Sequence, residues 1–246
     1  MAKTVFERKF CQNLRRLDKR LKAYLEDTEK KENIHDVSVS IRKHDIMSSL
    51  LSKKVRKRCR PSIKKYREFL RANNSARDCD IITGRLAALG AHVTGDLQKK
   101  KRAELLRAVR LARSLKKIQP MQFGAPDSKR TDKIADRLVT RVLETLPVVL
   151  SDASRVEELH RIRRNLRKLR YITDVMPHST KKKYMTKLRR AIGKGESLEE
   201  LQDLLGSIHD CDITIDYLRT KNDDRILGKE IRNRGLLYEK FISYLK

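Results

Sequence analysis

The chain is poor in the residues that break helices. Nine glycines and five prolines are spread over 246 residues, so long uninterrupted helices are expected. Aromatic residues make up only 5%, and tryptophan is absent. That argues against a platform on which nucleic-acid bases stack. Cysteine is limited to Cys11, Cys59, Cys79 and Cys211. No pair has CxxC spacing, so the sequence indicates neither a zinc site nor a disulfide framework, and reduced cytosolic thiols are expected. No run of about 18 apolar residues exists, so no transmembrane helix is expected. The first residues, Met1 to Phe6, have no apolar h-region of the secretory type. Acidic residues are the scarcer charge. Lys and Arg number 60 against 32 Asp and Glu, a net charge of +28.

A charge of that size attracts polyanions whatever the fold. Charged residues form 37% of the chain, against about 25% in ordinary proteins. The basic residues follow helical patterns and are not gathered in a tail, which argues against a disordered basic arm. The partner classes left open are nucleic acid, polyphosphate, anionic lipid and acidic protein.

The chain also repeats itself. Ile34-His35-x-Val37-x-x-x-Ile41-Arg42-Lys43 returns as Leu159-His160-x-Ile162-x-x-x-Leu166-Arg167-Lys168, 125 residues later. Arg77-Asp78-Cys79-Asp80-Ile81 returns as His209-Asp210-Cys211-Asp212-Ile213, 132 residues later. Packing alone would preserve the apolar positions. Here a histidine, an Arg-Lys pair and an aspartate are preserved with them.

Apolar spacing predicts helices over about 4–26, 33–58 and 95–118. Val5, Leu14, Leu17, Leu21 and Leu25 would form the core face of the first. Pro61 is expected to open a further helix that Asn73-Asn74-Ser75 ends, with the next beginning near Asp78 and closing before Gly90. Gln119 to Asp127, with two prolines and a glycine, reads as a linker between a first half, 1–118, and a second half, 128–246. In the second half a helix from Ser128 is expected to end at Leu146 before Pro147. Asp152 and Ser179 would cap the following two, the latter ending near Gly193-Lys194-Gly195. Ser197 starts a segment leading to His209, and a last helix covers about 223–244. The fold class is all-α: about ten helices in two similar antiparallel bundles, packed as one domain.

The helix from Leu159 is the most informative. Leu159, Ile162, Leu166, Leu169 and Thr173 form a core stripe. His160, Arg163, Arg164, Arg167, Lys168, Arg170 and Tyr171 occupy the rest, without an acidic residue among them. Like charges at i, i+3 and i+4 cost a few tenths of a kcal/mol per pair. An anion held by such a row would remove that cost, and arginine presents a flat fork of donors matched to phosphate oxygens. The bland alternative is a solvated basic face. A histidine among these arginines, with an ordinary pKa near 6.5, is expected to gain a proton when an anion arrives. Asp78 and Asp210 are expected to cap the helices they precede or to orient Arg77 and His209. Cys79 and Cys211 are expected to be small buried residues at equivalent positions.

On these residues the chain resembles the CHAD family, the conserved-histidine α-helical domains that bind inorganic polyphosphate. The family's pattern has a helix reading His-x-x-Arg-x-x-x-Arg-Arg/Lys-x-Arg in each half. His160, Arg163, Arg167, Lys168 and Arg170 match it, as do Arg77-Asp78, His209-Asp210 and Leu204-Leu205-Gly206 ahead of them. The first half keeps His35, Arg42 and Lys43 but has Ser38 and Asp45 where arginines are expected. The resemblance implies two four-helix bundles related by pseudo-twofold symmetry, with polyphosphate in a basic groove where they meet. It implies a non-catalytic binding protein without cofactor or metal. Such a protein is expected in the cytoplasm, with polyphosphate granules as one place of association, no membrane contact and only weak non-specific binding of nucleic acid. Nucleic-acid binding is the alternative reading. A metal-dependent phosphohydrolase using His160, His209-Asp210 and Asp216 is the third.

Overall fold

The computed structural model describes residues 4–92, 95–116, 126–192, 198–221 and 223–245. Among these residues there are nine helices and no strand. None of the helices is long and apolar enough to cross a membrane. The chain forms two compact units, Met1–Asp80 with Thr94–Thr131, and Ile81–Val93 with Asp132–Lys246.

In the first unit, α1 (Val5–Glu26) opens with a capping box. The Thr4 hydroxyl accepts the Glu7 N–H, and the Glu7 carboxylate accepts the Thr4 N–H. Its core face runs Phe6, Phe10, Leu17, Leu21, Tyr24. Val5 is turned outward, so the buried stripe begins one residue later than the leucine spacing suggested. α2 (Lys31–Ser49) lies against α1 and buries Ile34, Val37 and Ile41. α4 (Gly95–Lys116) adds Leu105, Ala108 and Ala112 to the same core.

The largest departure from expectation is α3, which runs unbroken over Lys53–Ala88. Pro61 sits inside it instead of opening it, and Asn73-Asn74-Ser75 does not end it. An interior proline costs about 3 kcal/mol. The apolar face of α3, with Cys59, Ile63, Tyr66, Phe69 and Leu70 in the core, outweighs that at about 1.5–3 kcal/mol per fully buried large side chain. Asn73 is buried and donates to the Ile34 carbonyl (3.1 Å) and the Ser38 hydroxyl (2.8 Å) of α2. What reads as a stop signal is a tertiary hydrogen-bond donor. Past Ala88 the chain turns at Gly90, whose φ of 72° is open to glycine. There the Ala91 N–H reaches back to the Leu86 carbonyl.

The expected linker lies mostly outside the described residues. Its last two residues are tied down: Pro126 bridges to Leu51, and the Asp127 N–H donates to the Leu50 carbonyl.

In the second unit, α5 (Ser128–Ser151) passes through Pro147 in the same way and does not stop at Leu146. α6 (Val156–Thr173) follows Asp152, whose carboxylate accepts from the Ser154 N–H and hydroxyl and does not cap the helix itself. α7 (His178–Ile192) starts one residue before Ser179. The Gly193 to Ser197 segment lies outside the described residues. α8 (Leu198–Arg219) packs against α6 and α9 (Asp224–Leu245). All five residues of the expected α6 stripe, Leu159 through Thr173, are buried.

Candidate polyanion-binding site

In the second unit α6 and α8 place two histidines in contact. His160 is the fifth residue of α6 and His209 lies past the middle of α8. Their rings are perpendicular, with centroids 4.3 Å apart, and His209 Nδ1 is 2.9 Å from His160 Nε2. His160 Nε2 is also 3.0 Å from Asp212 Oδ2, and Arg234 Nε of α9 donates to Asp212 Oδ1 at 2.5 Å.

These contacts fix the tautomers. Asp212 is buried, which raises the pKa of a carboxyl, but the hydrogen bonds from His160 and Arg234 and the Arg234 charge outweigh burial and hold it below its ordinary value. A carboxylate only accepts, so His160 Nε2 carries a proton. That N–H is shared with His209 Nδ1, which must accept, and the His209 proton sits on Nε2. The His209 pKa is pushed down to about 3, first by burial and then by Arg163, His160 and Arg167. The expectation of a histidine near its ordinary value therefore fails here. His209 is a neutral ring in a strongly positive surrounding.

Arg163 reaches the same place over Gly206. A Cβ built on Gly206 would lie 4.0 Å from Arg163 Nε and Nη2, in ordinary van der Waals contact, so the guanidinium lies over this turn of α8. Arg163 and Arg167 are half-buried, whereas Arg164 and Lys168 are exposed. Arg170 is placed differently. Its guanidinium pairs with Glu199 at 3.6 Å and lies over the Tyr171 ring, which is buried in the core. It lines a cleft of about 310 Å³ with Lys181, Arg189 and Glu199.

The first unit builds a cluster from other parts. His35 stands on α2 and is exposed to solvent. Its pKa is lowered first by burial and then by Arg77, Arg42 and Arg20. Arg42 Nη2 donates to Asn74 Oδ1 at 2.6 Å. Lys43 is half-buried on the same helix. The two departures from the repeat have physical reasons. Ser38 stands where the second copy has Arg163, but it is 1% exposed and holds Asn73, so no guanidinium fits there. Arg20 of α1 supplies a cation instead. Asp45, the counterpart of Arg170, forms a two-pronged bond with Arg67 at 2.8 and 3.1 Å.

The aspartates of the repeat divide into two roles. Asp78 and Asp210 lie inside α3 and α8, so neither caps a helix start. Both are half-buried and engaged in interactions. The second aspartate of each motif is the structural one: Asp212 holds His160, and Asp80 pairs with Lys101 at 2.6 Å. Cys79 and Cys211 are both buried, and burial pushes the Cys211 thiol up to about 12.

The family model of the CHAD domain matches residues 8–219. The chain belongs to this family. No curated protein matches it. The match takes in both histidine helices and both Asp-Cys-Asp motifs of the CHAD domain, and it stops short of α9. Arg234, which locks Asp212, therefore comes from outside the matched region.

Sequence reasoning missed Asp212, Arg234, Arg20 and Asn74. Asp212 carried a signal, since it lies three residues after His209 and repeats as Asp80. Arg234 carried none, because a contact over 22 residues between two helices has no sequence pattern. Among the described residues no group of three or more His, Cys, Asp or Glu is placed to hold a metal. Asp216 is exposed and pairs with Arg219.

Proposed function

We propose that this CHAD domain binds inorganic polyphosphate and does so without catalysing its cleavage. One observation carries the reading. In each unit burial, and then the arginines around it, hold a histidine's pKa down: Arg163 and Arg167 of α6 around His209 of α8, and Arg77, Arg42 and Arg20, from three helices, around His35. Positive charge converging on a neutral donor suits an oxyanion that accepts from guanidinium forks and a ring N–H together. Charge-assisted hydrogen bonds of this kind contribute about 1.5–3 kcal/mol each, so a few on each chain segment suffice for tight binding. The family's link to polyphosphate agrees with the chemistry.

The scarcity of aromatics and the absence of tryptophan weigh against base stacking and hence against nucleic acid as the specific ligand. The test is competition. A labelled long polyphosphate is bound at physiological salt and challenged with unlabelled polyphosphate, duplex DNA and RNA at equal charge. Only polyphosphate is expected to displace it well. His160→Ala and Arg167→Ala are expected to weaken binding by about tenfold or more. Equal displacement by nucleic acids would make the site a general polyanion surface and overturn the proposal.

A further inference from the structure

The first half of α3 carries a row of cations that the histidine motifs do not account for. Lys53, Lys57, Arg60, Lys64, Arg67 and Arg71 follow 4–3–4–3–4 spacing, which stacks them on one helix face. All six are exposed. At 1.5 Å per residue the row is about 27 Å long. Lys54, Arg58 and Lys65 flank it, and Glu68 is the one acid between positions 53 and 71. Arg67 is bound to Asp45. The other five make no ion pair among the described residues. Interspersed glutamates would relieve the repulsion at little cost to the helix, yet the row keeps its single sign.

The row adjoins the His35 cluster. Arg67 bonds Asp45 and Asn74 accepts from Arg42. Arg67 and Asn74 are two turns apart on α3, and Arg42 and Asp45 one turn apart on α2. The edge of α2 that bears Arg42 therefore runs along the flank of the row. None of the large exposed apolar side chains lies on α3, so the row has nothing to insert into a lipid bilayer. No tryptophan or exposed aromatic stands in it to stack a base.

We propose that Lys53, Lys57, Arg60, Lys64 and Arg71 form a linear track that continues the His35–Arg42–Arg77 cluster and holds the next stretch of a long polyphosphate chain. The track gives the first unit a preference for long chains over short ones. This rests on the polyphosphate reading above. A short chain fills the cluster and ends there. A long chain already held at the cluster meets the track at high effective concentration, so each further contact adds to affinity.

The test uses the full chain and two probes, tripolyphosphate and a long polyphosphate. The track variant is Lys57→Ala/Arg60→Ala/Lys64→Ala. The control is Arg225→Ala/Arg232→Ala/Lys240→Ala, which removes the same charge from exposed positions of α9. The substitutions are exposed and favour helix, and thermal melts verify that both variants fold. The track variant is expected to lose about tenfold or more in affinity for the long chain and to keep its affinity for tripolyphosphate. Its log–log salt slope for the long chain is expected to fall by about 2, at ~0.7 per lost contact on a single-stranded polyanion. Equal losses in track variant and control would reduce the row to its share of the general field and overturn the track. So would equal losses for the two chain lengths. Failure of the polyphosphate reading looks different, because the unmutated protein would then hold neither probe.

Discussion

His209 and His35 are neutral bases surrounded by arginine, and an anion that enters either site changes their titration. Without ligand, burial and then Arg163, His160 and Arg167 keep His209 down to about 3, while burial and then Arg77, Arg42 and Arg20 lower His35. A phosphate chain brings negative charge and cancels part of the arginine field, which favours the imidazolium. Both midpoints are expected to rise on saturation with polyphosphate, by about one unit or more. Binding then takes up protons and tightens as the pH falls. Ring-proton NMR titrations with and without polyphosphate check this. His44 serves as the internal control. It is 0% exposed between Phe10 and Tyr66, with its pKa held down to about 4 by burial. It is expected not to move. Midpoints of His35 and His209 that stay put with ligand bound would place the anion elsewhere. The same depressions set the acid stability. His44 and His209 bind protons in the unfolded chain below about 6.5 but not in the folded one. Their contribution is therefore complete above that pH and is lost between about 6.5 and the folded values of about 4 and 3.

At the level of helices, α9 is held to the last turns of α3 by a buried ion pair within the second unit. Glu230 is fully buried and accepts from Arg85 Nε and, at 3.3 Å, from Asn233 Nδ2. Arg85 Nη2 also lies 3.0 Å from Cys211 Sγ. Removing one member of such a pair leaves the other charge uncompensated, at a cost of about 3–5 kcal/mol. Glu230→Leu is expected near the lower end, because Arg85 is a quarter exposed and water partly compensates it. Arg85→Met/Glu230→Leu is expected to recover most of the loss. Urea unfolding of the two variants measures both; a double variant as unstable as the single one would show that the pair itself stabilises the fold. No sequence pattern announced this pair. Periodic apolar stripes were legible, and α6 follows its stripe residue by residue, because helix packing repeats every turn. Pro61, Pro147 and the Asn73-Asn74 pair were misread for one common reason. Local propensity sets a cost of a few kcal/mol, whereas the core that each helix buries, and the partners Asn73 and Asn74 find on α2, are set by distant residues. The repeat exposed His160 and His209, and with them Asp212, but gave no hint that Arg234 locks Asp212, since Arg234 approaches from a helix with no counterpart in the repeat.

For the molecule as a whole the governing quantity is its charge of +28. A field of that size repels itself in the folded state, and added salt screens it. Thermal stability without ligand is therefore expected to rise with sodium chloride. A bound polyanion reverses the sign. It neutralises the clusters and stabilises the fold by mass action, but the counterions it releases make its affinity fall steeply with salt. Melting temperatures measured with saturating polyphosphate are expected to be highest at low salt and to decline as salt rises, until the liganded and unliganded curves meet. The histidine clusters and the α3 row predict different depths for this decline. Tripolyphosphate, which fills one cluster, should give a shallow slope. A long chain lying along the row should give a steep one, and the Lys57, Arg60 and Lys64 substitutions should bring it down to the tripolyphosphate value. Curves that rise in parallel with and without polyphosphate would mean that the charge is solvated surface, with no anion held at either histidine.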